Sequence, residues 1–154
     1  QGIYLFEDDF SEEQIRKNFD FYEPRTVHES SLSPCIHVVL ASKLKKPQKA
    51  YELYLRTSRL DLDDYNHEVH EGCHITSMAG TWLSVVEGFG GMRVRDNQLH
   101  FDPLIPEAWK SLSFKVHFRG RLIHVHIDHE QLIIKPLDNN TFRYFVDGIE
   151  QIAE

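Results

Sequence analysis

The spacing of apolar residues changes its period near Gly91. Before this glycine, apolar residues recur every three or four positions, which is the pattern of helices that bury one face. After it, apolar and polar residues alternate one by one, which is the pattern of half-buried antiparallel strands. The chain is therefore expected to be an α+β protein, with a helical part over residues 1–90 and a β-domain over residues 91–154.

Capping residues and prolines mark the starts of the predicted helices. Ser11 and Gln14 have the spacing of a capping box, and a proline at position 34 or 47 suits the first turn of a helix. The predicted helices cover residues 11–22, residues 32–44, a segment that begins at residue 47, and residues 75–87. The short Lys45-Lys46 link predicts that the second and third helices form an antiparallel hairpin.

Four segments of the second part alternate like strands. They are residues 114–118, 122–127, 132–134 and 142–146. Gly120 predicts a turn after the first of these segments, and Asp138-Asn139-Asn140 predicts another before the last. Trp82 and Trp109 are interpreted as core or interface residues.

Composition and charge narrow the possible partners. The 154 residues are 41% hydrophobic and 27% charged, which is typical of a chain that folds around a core. A net charge of −7 argues against nucleic acid or an anionic membrane as the main partner, although a local pocket can still bind a small anion. No apolar run reaches the roughly 20 residues of a membrane span.

The cysteines and the first residues bear on the cellular setting. Cys35 and Cys73 are too few for a disulfide framework, so free thiols in a reducing cytoplasm are expected.

The chain opens on QGIYLF, without methionine and with apolar residues already present. This opening suggests a piece of a longer protein.

Residues 70–74 read HEGCH, which matches the H-E-x-x-H pattern of zinc peptidases. That chemistry needs both histidines on one helical face, with the glutamate beside them as general base. Gly72 lies inside the motif and helical periodicity begins only after it, so a polar loop is favoured over a zinc site. A metal held by His67, His70 and His74 remains an alternative.

The same segment also fits an anion-binding helix start. His74, Thr76 and Ser77 lie where unpaired backbone N–H groups and the helix dipole favour a negative charge. The imidazole and the hydroxyls add donors for phosphate or sulfate. Gly80 leaves room for close approach of neighbouring backbone. The alternative is an ordinary N-cap, with Thr76 or Ser77 capping the helix and His74 on the surface.

A second polar cluster, residues 25–33, precedes another predicted helix. Ser30 and Ser31 could cap that helix and have no further role. If the two helix starts face each other, their hydroxyls and histidine would instead form one pocket suited to phosphate.

Three long segments resemble glycoside hydrolase family 65. They are YEPRTVHESSLSPCIH, RTSRLDLDDYNHEVHEGCHITSMAGTW and VVEGFGGMRVRDNQLHFDPLIPEAWKSLSF. The resemblance covers essentially the whole chain. It implies the last helices of an (α/α)6 barrel, followed by a small, jelly-roll-like antiparallel β-sheet domain.

The resemblance also implies a reaction. Family members catalyse inverting phosphorolysis of α-glucosidic disaccharides, and the expected reaction converts maltose and phosphate to β-glucose 1-phosphate and glucose. No cofactor is expected, because inorganic phosphate is the co-substrate. The family's general acid lies upstream of every segment present here, and none of Glu29, Glu68 and Glu71 matches it. We therefore expect no catalytic residue in this chain.

The phosphate-binding residues carry over from the same segments. Ser30 and Ser31 resemble the family's phosphate-binding serines, and His74 resembles its phosphate-binding histidine. Thr76 and Ser77 are expected in the same pocket wall, and no metal ligand is expected. Hydroxyls and a histidine attract a phosphate dianion, whereas a carboxylate would repel it, so this set favours phosphorolysis over hydrolysis.

The expected partners are a disaccharide, phosphate and the N-terminal remainder of the enzyme, in a cytoplasmic homodimer without nucleic acid or membrane. Two alternatives stay open, a non-catalytic β-domain that binds carbohydrate or a partner protein, and the metal hydrolase. The disaccharide is not determined here, because maltose, trehalose, kojibiose and nigerose enzymes share these segments.

Overall fold

Helices precede strands along the chain, as the change of period predicts. The computed structural model describes residues 1–28, 30, 32–138 and 140–153. The helices are α1 (Gly2–Leu5), α2 (Glu12–Tyr22), α3 (Ser33–Lys43), α4 (Pro47–Ser58) and α5 (Ile75–Leu83). Short 3-10 turns lie at Glu7–Asp9, Glu23–Arg25 and Val69–Glu71. Within the described ranges, no helix is long and apolar enough to cross a membrane.

The strands form two small sheets. They are β1 (Arg93–Arg95), β2 (Gln98–Phe101), β3 (Ser111–Phe118), β4 (Arg121–Asp128), β5 (Leu132–Pro136), β6 (Phe142–Val146) and β7 (Ile149–Ala153). One sheet has the order β1-β2-β6-β7, and the other has the order β3-β4-β5. Their buried side chains belong to one hydrophobic cluster that also includes residues of α2, α3 and α4. The α+β prediction is confirmed.

One strand pairing differs from the antiparallel arrangement that was predicted. β2 and β6 are parallel, with Leu99 opposite Tyr144 and Phe101 opposite Val146, while every other described pairing is antiparallel. Alternation of apolar and polar residues is the same in parallel and antiparallel strands, so it cannot reveal the direction of a partner. The β3-β4-β5 sheet is inserted between β2 and β6 in sequence, which makes this contact long-range.

The predicted capping box at the start of α2 is confirmed. The Ser11 hydroxyl accepts the Gln14 backbone N–H at 3.2 Å, and the Gln14 side chain accepts the Ser11 N–H at 2.8 Å. The helix buries Ile15 and Phe19 on one face. The N–H groups of Ser11 and Gln14 are therefore satisfied within the turn itself, without a tertiary contact.

The last helix is longer and wider than predicted. It is α-helical to Leu83 and then π-helical over Ser84–Phe89, where the Gly90 N–H donates to the Val85 carbonyl at 2.8 Å. The Ser84 hydroxyl donates to the Gly80 carbonyl at 2.8 Å and so adds a second bond at the change of helix type. Such wide turns are uncommon and re-aim the residues that follow.

Gly91 then turns the chain into the sheets. Its φ is +61°, and a Cβ at this position would lie 2.1 Å from the Asp102 carbonyl oxygen. Only glycine fits a left-handed backbone this close to another strand. Next to this turn, the Phe89 carbonyl accepts the Leu104 N–H at 2.8 Å, which ties the helix end to the segment after β2.

Aromatic rings pack the helices against the β-domain. Trp109, between β2 and β3, lies edge-on to Phe89 and Tyr54, with ring centroids 4.9 Å and 5.1 Å away. Tyr51 contacts the same indole at 6.3 Å. The interpretation of Trp109 as an interface residue is therefore confirmed.

A buried carboxylate makes a second link between the two parts. Glu7 is 7% exposed and bonds to Lys43 of α3 at 2.8 Å and to Arg93 and Arg95 of β1 at 2.9 Å each. Burial by itself raises the pKa of Glu7, but the hydrogen bonds and charges of Arg93 and Lys43 outweigh it and hold the pKa below its ordinary range. Glu7 therefore stays ionised and joins three elements.

The contacts between α3 and α5 show the relative direction of the two helices. A Cβ at Gly80 would lie 2.7 Å from the Cys35 Cβ, and a Cβ at Gly88 would lie 3.1 Å from Val38 and 3.6 Å from Ser42. The later residue on one side contacts the later residues on the other, so α3 and α5 run parallel. The close approach predicted at Gly80 is present, although a side chain makes it rather than backbone.

α5 leaves an apolar stripe uncovered. Ile75, Met78 and Trp82 recur at helical spacing and are 68%, 50% and 49% exposed. Ser77 and Gly80, on the opposite face, are buried against α3 and α4. Trp82 thus lies on a surface and not in the core of this chain.

We predict that Gly80→Ala lowers the free energy of unfolding by about 1–3 kcal/mol, because its methyl group would overlap the Cys35 side chain. Chemical denaturation of this chain measures the change. Gly2→Ala is the matched control, since nothing lies within 4 Å of a Cβ at Gly2. Equal stability of the Gly80 variant and the parent would contradict the close contact.

We predict that Glu7→Gln costs about 1–3 kcal/mol at neutral pH, because it leaves three cations without their shared carboxylate. A depressed carboxylate pKa stabilises the fold above the unfolded-state value and ceases to do so as pH falls through the folded value. The deficit should therefore shrink below about pH 4. Urea titrations at several pH values measure it. Glu13→Gln, which removes an exposed pair with Lys17, should change stability by less than about 0.5 kcal/mol.

Candidate functional site

The two helix starts predicted to bind an anion lie at one end of the helix layer. Because α3 and α5 are parallel, their first turns point the same way. The last turn of α4 reaches the same end, where Arg56 Nε donates to the His28 carbonyl at 3.0 Å and Ser77 Oγ donates to the Thr57 carbonyl at 2.7 Å. The segments that precede α3 and α5 therefore flank the end of α4.

His74 directly precedes α5 and is held twice by one carboxylate. Asp61 Oδ2 accepts the His74 backbone N–H at 2.9 Å, and Asp61 Oδ1 lies 2.5 Å from His74 Nδ1. An ionised carboxylate only accepts hydrogen bonds, so Nδ1 carries the proton. The other ring nitrogen, Nε2, is thereby directed away from Asp61.

The second edge of the imidazole also lies near an acid. Glu68 Oε2 is 3.4 Å from His74 Nε2, and the side chain of Glu68 is 47% exposed. The hydrogen bond that His74 donates to Asp61, assisted by the charges of Asp61 and Glu68, raises the pKa of His74 above its ordinary value. The reciprocal bond lowers the pKa of Asp61. A protonated His74 thus has a second N–H, at Nε2, which lies beside Glu68 and points away from Asp61.

Backbone amides contribute less at this helix start than expected. The Ile75 N–H donates to the Cys73 carbonyl at 3.0 Å, and the Ser77 N–H donates to the His74 carbonyl at 2.9 Å. These amides already have partners inside the protein, so an anion here would depend mainly on side-chain donors.

Ser30 lies in the turn before α3 and is exposed. Its hydroxyl accepts the Leu32 N–H at 3.3 Å, and its carbonyl accepts the Ser33 N–H at 3.2 Å. A hydroxyl that accepts one bond can still donate its own proton to a ligand. Ser31, the other predicted phosphate-binding serine, lies outside the described residues, as does Glu29.

Thr76 and Ser77 occupy different environments. Thr76 is exposed at the second position of α5. Ser77 is 3% exposed, and its hydroxyl proton is donated to the Thr57 carbonyl. The predicted phosphate contact of the Ser77 side chain is therefore not available in this arrangement. Its hydroxyl instead fastens α5 to α4, because the helical turn places it on the buried face.

His28 fixes the segment that carries Ser30. It has a positive φ of 59°, its Nδ1 lies 3.0 Å from Ser33 Oγ, and its carbonyl accepts the Arg56 guanidinium. Burial, together with the neighbouring His37, lowers the pKa of His28, which favours a neutral ring. These contacts give the half-buried His28 a structural part in shaping this loop.

The H-E-x-x-H geometry of a zinc peptidase is not formed. Val69–Glu71 makes a single 3-10 turn, Gly72 has a φ of +121°, and helix α5 begins only at Ile75. His70 and His74 therefore do not lie on one helical face, and the His70 side chain is 76% exposed. Among the described residues, no group of three or more His, Cys, Asp or Glu side chains is placed to hold a metal ion.

Sequence reasoning missed Asp61 and Arg56. Asp61 precedes His74 by 13 positions, and nothing in the intervening sequence signals their contact. Arg56 lies near the end of a helix whose periodicity indicates only which face is buried. The chain between α4 and α5 brings Asp61 to the site, and the packing of α4 brings Arg56 there.

Comparisons with known proteins agree on one family. Residues 1–83 match the glycosyl hydrolase family 65 central catalytic domain, and residues 92–152 match the C-terminal domain of that family. Maltose phosphorylase from Bacillus subtilis (strain 168) is 53% identical over 147 residues, which are 92% of this chain and 19% of that protein. Alpha,alpha-trehalose phosphorylase from Thermoanaerobacter brockii is 45% identical over 146 residues, 94% of this chain and 19% of that protein.

A solved structure named "Putative kojibiose phosphorylase from human microbiome" superposes with a TM-score of 0.91 and 38% identity. The match covers 97% of this chain and 22% of that chain. This chain spans about a fifth of the length of the curated relatives it matches. The matched ranges, the identities and the superposition together place this chain in glycosyl hydrolase family 65.

Proposed function

We propose that this chain is the phosphate-binding side of an inverting disaccharide phosphorylase, with maltose as the disaccharide. The observation that carries the proposal is that the starts of α3 and α5 both lie beside the last turn of α4, with the His74 imidazole held by Asp61. The 53% identity to a maltose phosphorylase supports maltose, against 45% for a trehalose phosphorylase.

The proposed chemistry needs few groups from this chain. A phosphate oxygen attacks the anomeric carbon as the glycosidic C–O bond breaks on the opposite face. A carboxylic acid outside this chain gives its proton to the leaving oxygen, so the products are β-glucose 1-phosphate and glucose. Phosphate is already a nucleophile, and its site must supply positive charge and donors rather than a general base.

His74 supplies the charge in this proposal. As an imidazolium it donates Nε2–H to a phosphate oxygen, and charge-assisted bonds of this kind are stronger than neutral ones. The Ser30 hydroxyl adds a neutral donor from the neighbouring helix start. The raised pKa of His74 extends the pH range in which this cation is present, and the cation is lost as pH rises through that pKa.

The exposed stripe of α5 supports the view that further helices pack beside it. Ile75, Met78 and Trp82 form an apolar face that ordinary surface helices do not expose. In the proposed enzyme, other helices of the (α/α)6 barrel cover this stripe and bring the general acid opposite the phosphate.

We predict that phosphate and sulfate bind this chain and that His74→Ala abolishes the binding, because the only proposed cation at Nε2 is removed. Isothermal titration calorimetry measures both anions. His117→Ala, on an exposed position of β3, is the matched control and should bind as the parent does. Undiminished binding by the His74 variant would overturn the proposed site and favour the alternative of a carbohydrate- or protein-binding domain.

We predict that the 154-residue chain by itself does not phosphorolyse maltose, because it contains no counterpart of the general acid. Release of glucose from maltose and phosphate, followed by an enzymatic glucose assay, measures this. Turnover at a rate of about 1 s⁻¹ or more, which is typical of an intact enzyme, would show that the catalytic acid is present here after all.

A further inference from the structure

We propose that Asp61 is a positioning residue for phosphate binding, which it serves by orienting His74 through two hydrogen bonds. The inference rests on the proposed function and adds to it a residue that does not itself touch phosphate. It is carried by the geometry of one carboxylate, whose two oxygens contact the backbone N–H and the ring Nδ1 of the same histidine.

The two bonds restrict His74 in different ways. The bond to the backbone N–H fixes where the residue enters α5, and the bond to Nδ1 fixes the rotation of the ring about its own axis. A flipped ring would present a carbon to Asp61 and lose the bond. Nε2–H is therefore held in one direction, in the way that outer carboxylates orient histidines at many binding sites.

Asp61 is the acid of its loop that contacts His74 from this side. The other acids of residues 61–64 have different partners: Asp63 receives two bonds from Arg59, at 2.6 and 2.7 Å, and Asp64 accepts the Val69 N–H at 3.1 Å. Leu60, the residue before Asp61, is only 6% exposed and anchors this part of the loop. The three aspartates thus have different partners, and only Asp61 among them contacts His74.

The charge of Asp61 supports the same role. Among the described residues, the ionisable groups that face the ring are Asp61 at Nδ1 and Glu68 at Nε2. Asp61 and the imidazolium compensate each other, so the pair presents an N–H donor at Nε2, where Glu68 is a competing acceptor 3.4 Å away. If His74 loses its charge while Asp61 keeps the Nδ1 proton, Nε2 becomes an acceptor and no longer binds a phosphate oxygen.

Asp61→Asn tests the inference, since it removes the charge and keeps the shape. In this chain we expect phosphate affinity at neutral pH to fall roughly tenfold, as for loss of a charge-assisted bond. The pKa of His74 should also fall, so that binding is lost at a lower pH than in the parent. Calorimetry with inorganic phosphate at several pH values measures the affinity. NMR titration measures the His74 pKa, and the His74 imidazole resonance is identified as the one that is missing in His74→Gln.

Asp63→Asn is the matched control, because it makes the same charge change in the same loop without contacting His74. It should leave the phosphate affinity within about twofold and the His74 titration unchanged. Circular dichroism checks that both variants keep the helical fold.

The outcomes separate the two proposals. If His74→Ala abolishes phosphate binding while Asp61→Asn leaves both affinity and the His74 titration unchanged, the role of Asp61 is wrong and the proposed function stands. If Asp61→Asn and Asp63→Asn weaken binding equally, the effect is one of net charge and the positioning role is again wrong. If His74→Ala binds phosphate like the parent, the proposed function fails first, and the phosphate role of Asp61 fails with it.

Discussion

The candidate site depends on how closely α5 approaches α3. Gly80 has no side chain where Cys35 lies, and a Cβ there would be 2.7 Å from the Cys35 Cβ. Further along, Gly88 lies against Val38 and Ser42, so the two helices run parallel and both begin at the same end of the layer. α4, antiparallel to α3, brings its last turn to the same end and bonds both neighbouring segments, through Arg56 to one and through the Thr57 carbonyl to the other.

The electrostatics of this end explain how an acidic chain can present a site for an anion. The net charge is −7, yet charge acts locally where groups are partly buried. Asp61 bonds to the ring of the histidine that it holds, and Asp63 forms an ion pair with Arg59. The His74 Nε2–H remains as a donor on the side away from Asp61, and Glu68 is the nearest competing acceptor. The same logic governs Glu7, which stays charged in a buried position because three cations surround it.

Much of the local structure could be predicted because its signals are local. The capping box of Ser11 and Gln14 and the proline at the start of α4 act within one helical turn, and both are confirmed. Strands β1, β2 and β7 were missed although a signal was present. Asp96-Asn97 and Asp147-Gly148 both adopt positive φ in tight turns, and Asp147-Gly148 is a typical hairpin pair. The strands beside them are too short for alternation to stand out.

The sequence by itself determined the order of helices and strands, the family and the candidate residues, because periodicity, caps and long matching segments are all written along the chain. Only the tertiary structure decided that β2 pairs in parallel with β6, that Ser77 points inward to Thr57, and that Asp61 holds His74. The physical reason is the same in each case. These contacts join residues distant in sequence, and which groups meet depends on the packing of whole elements, for which a linear pattern carries no signal.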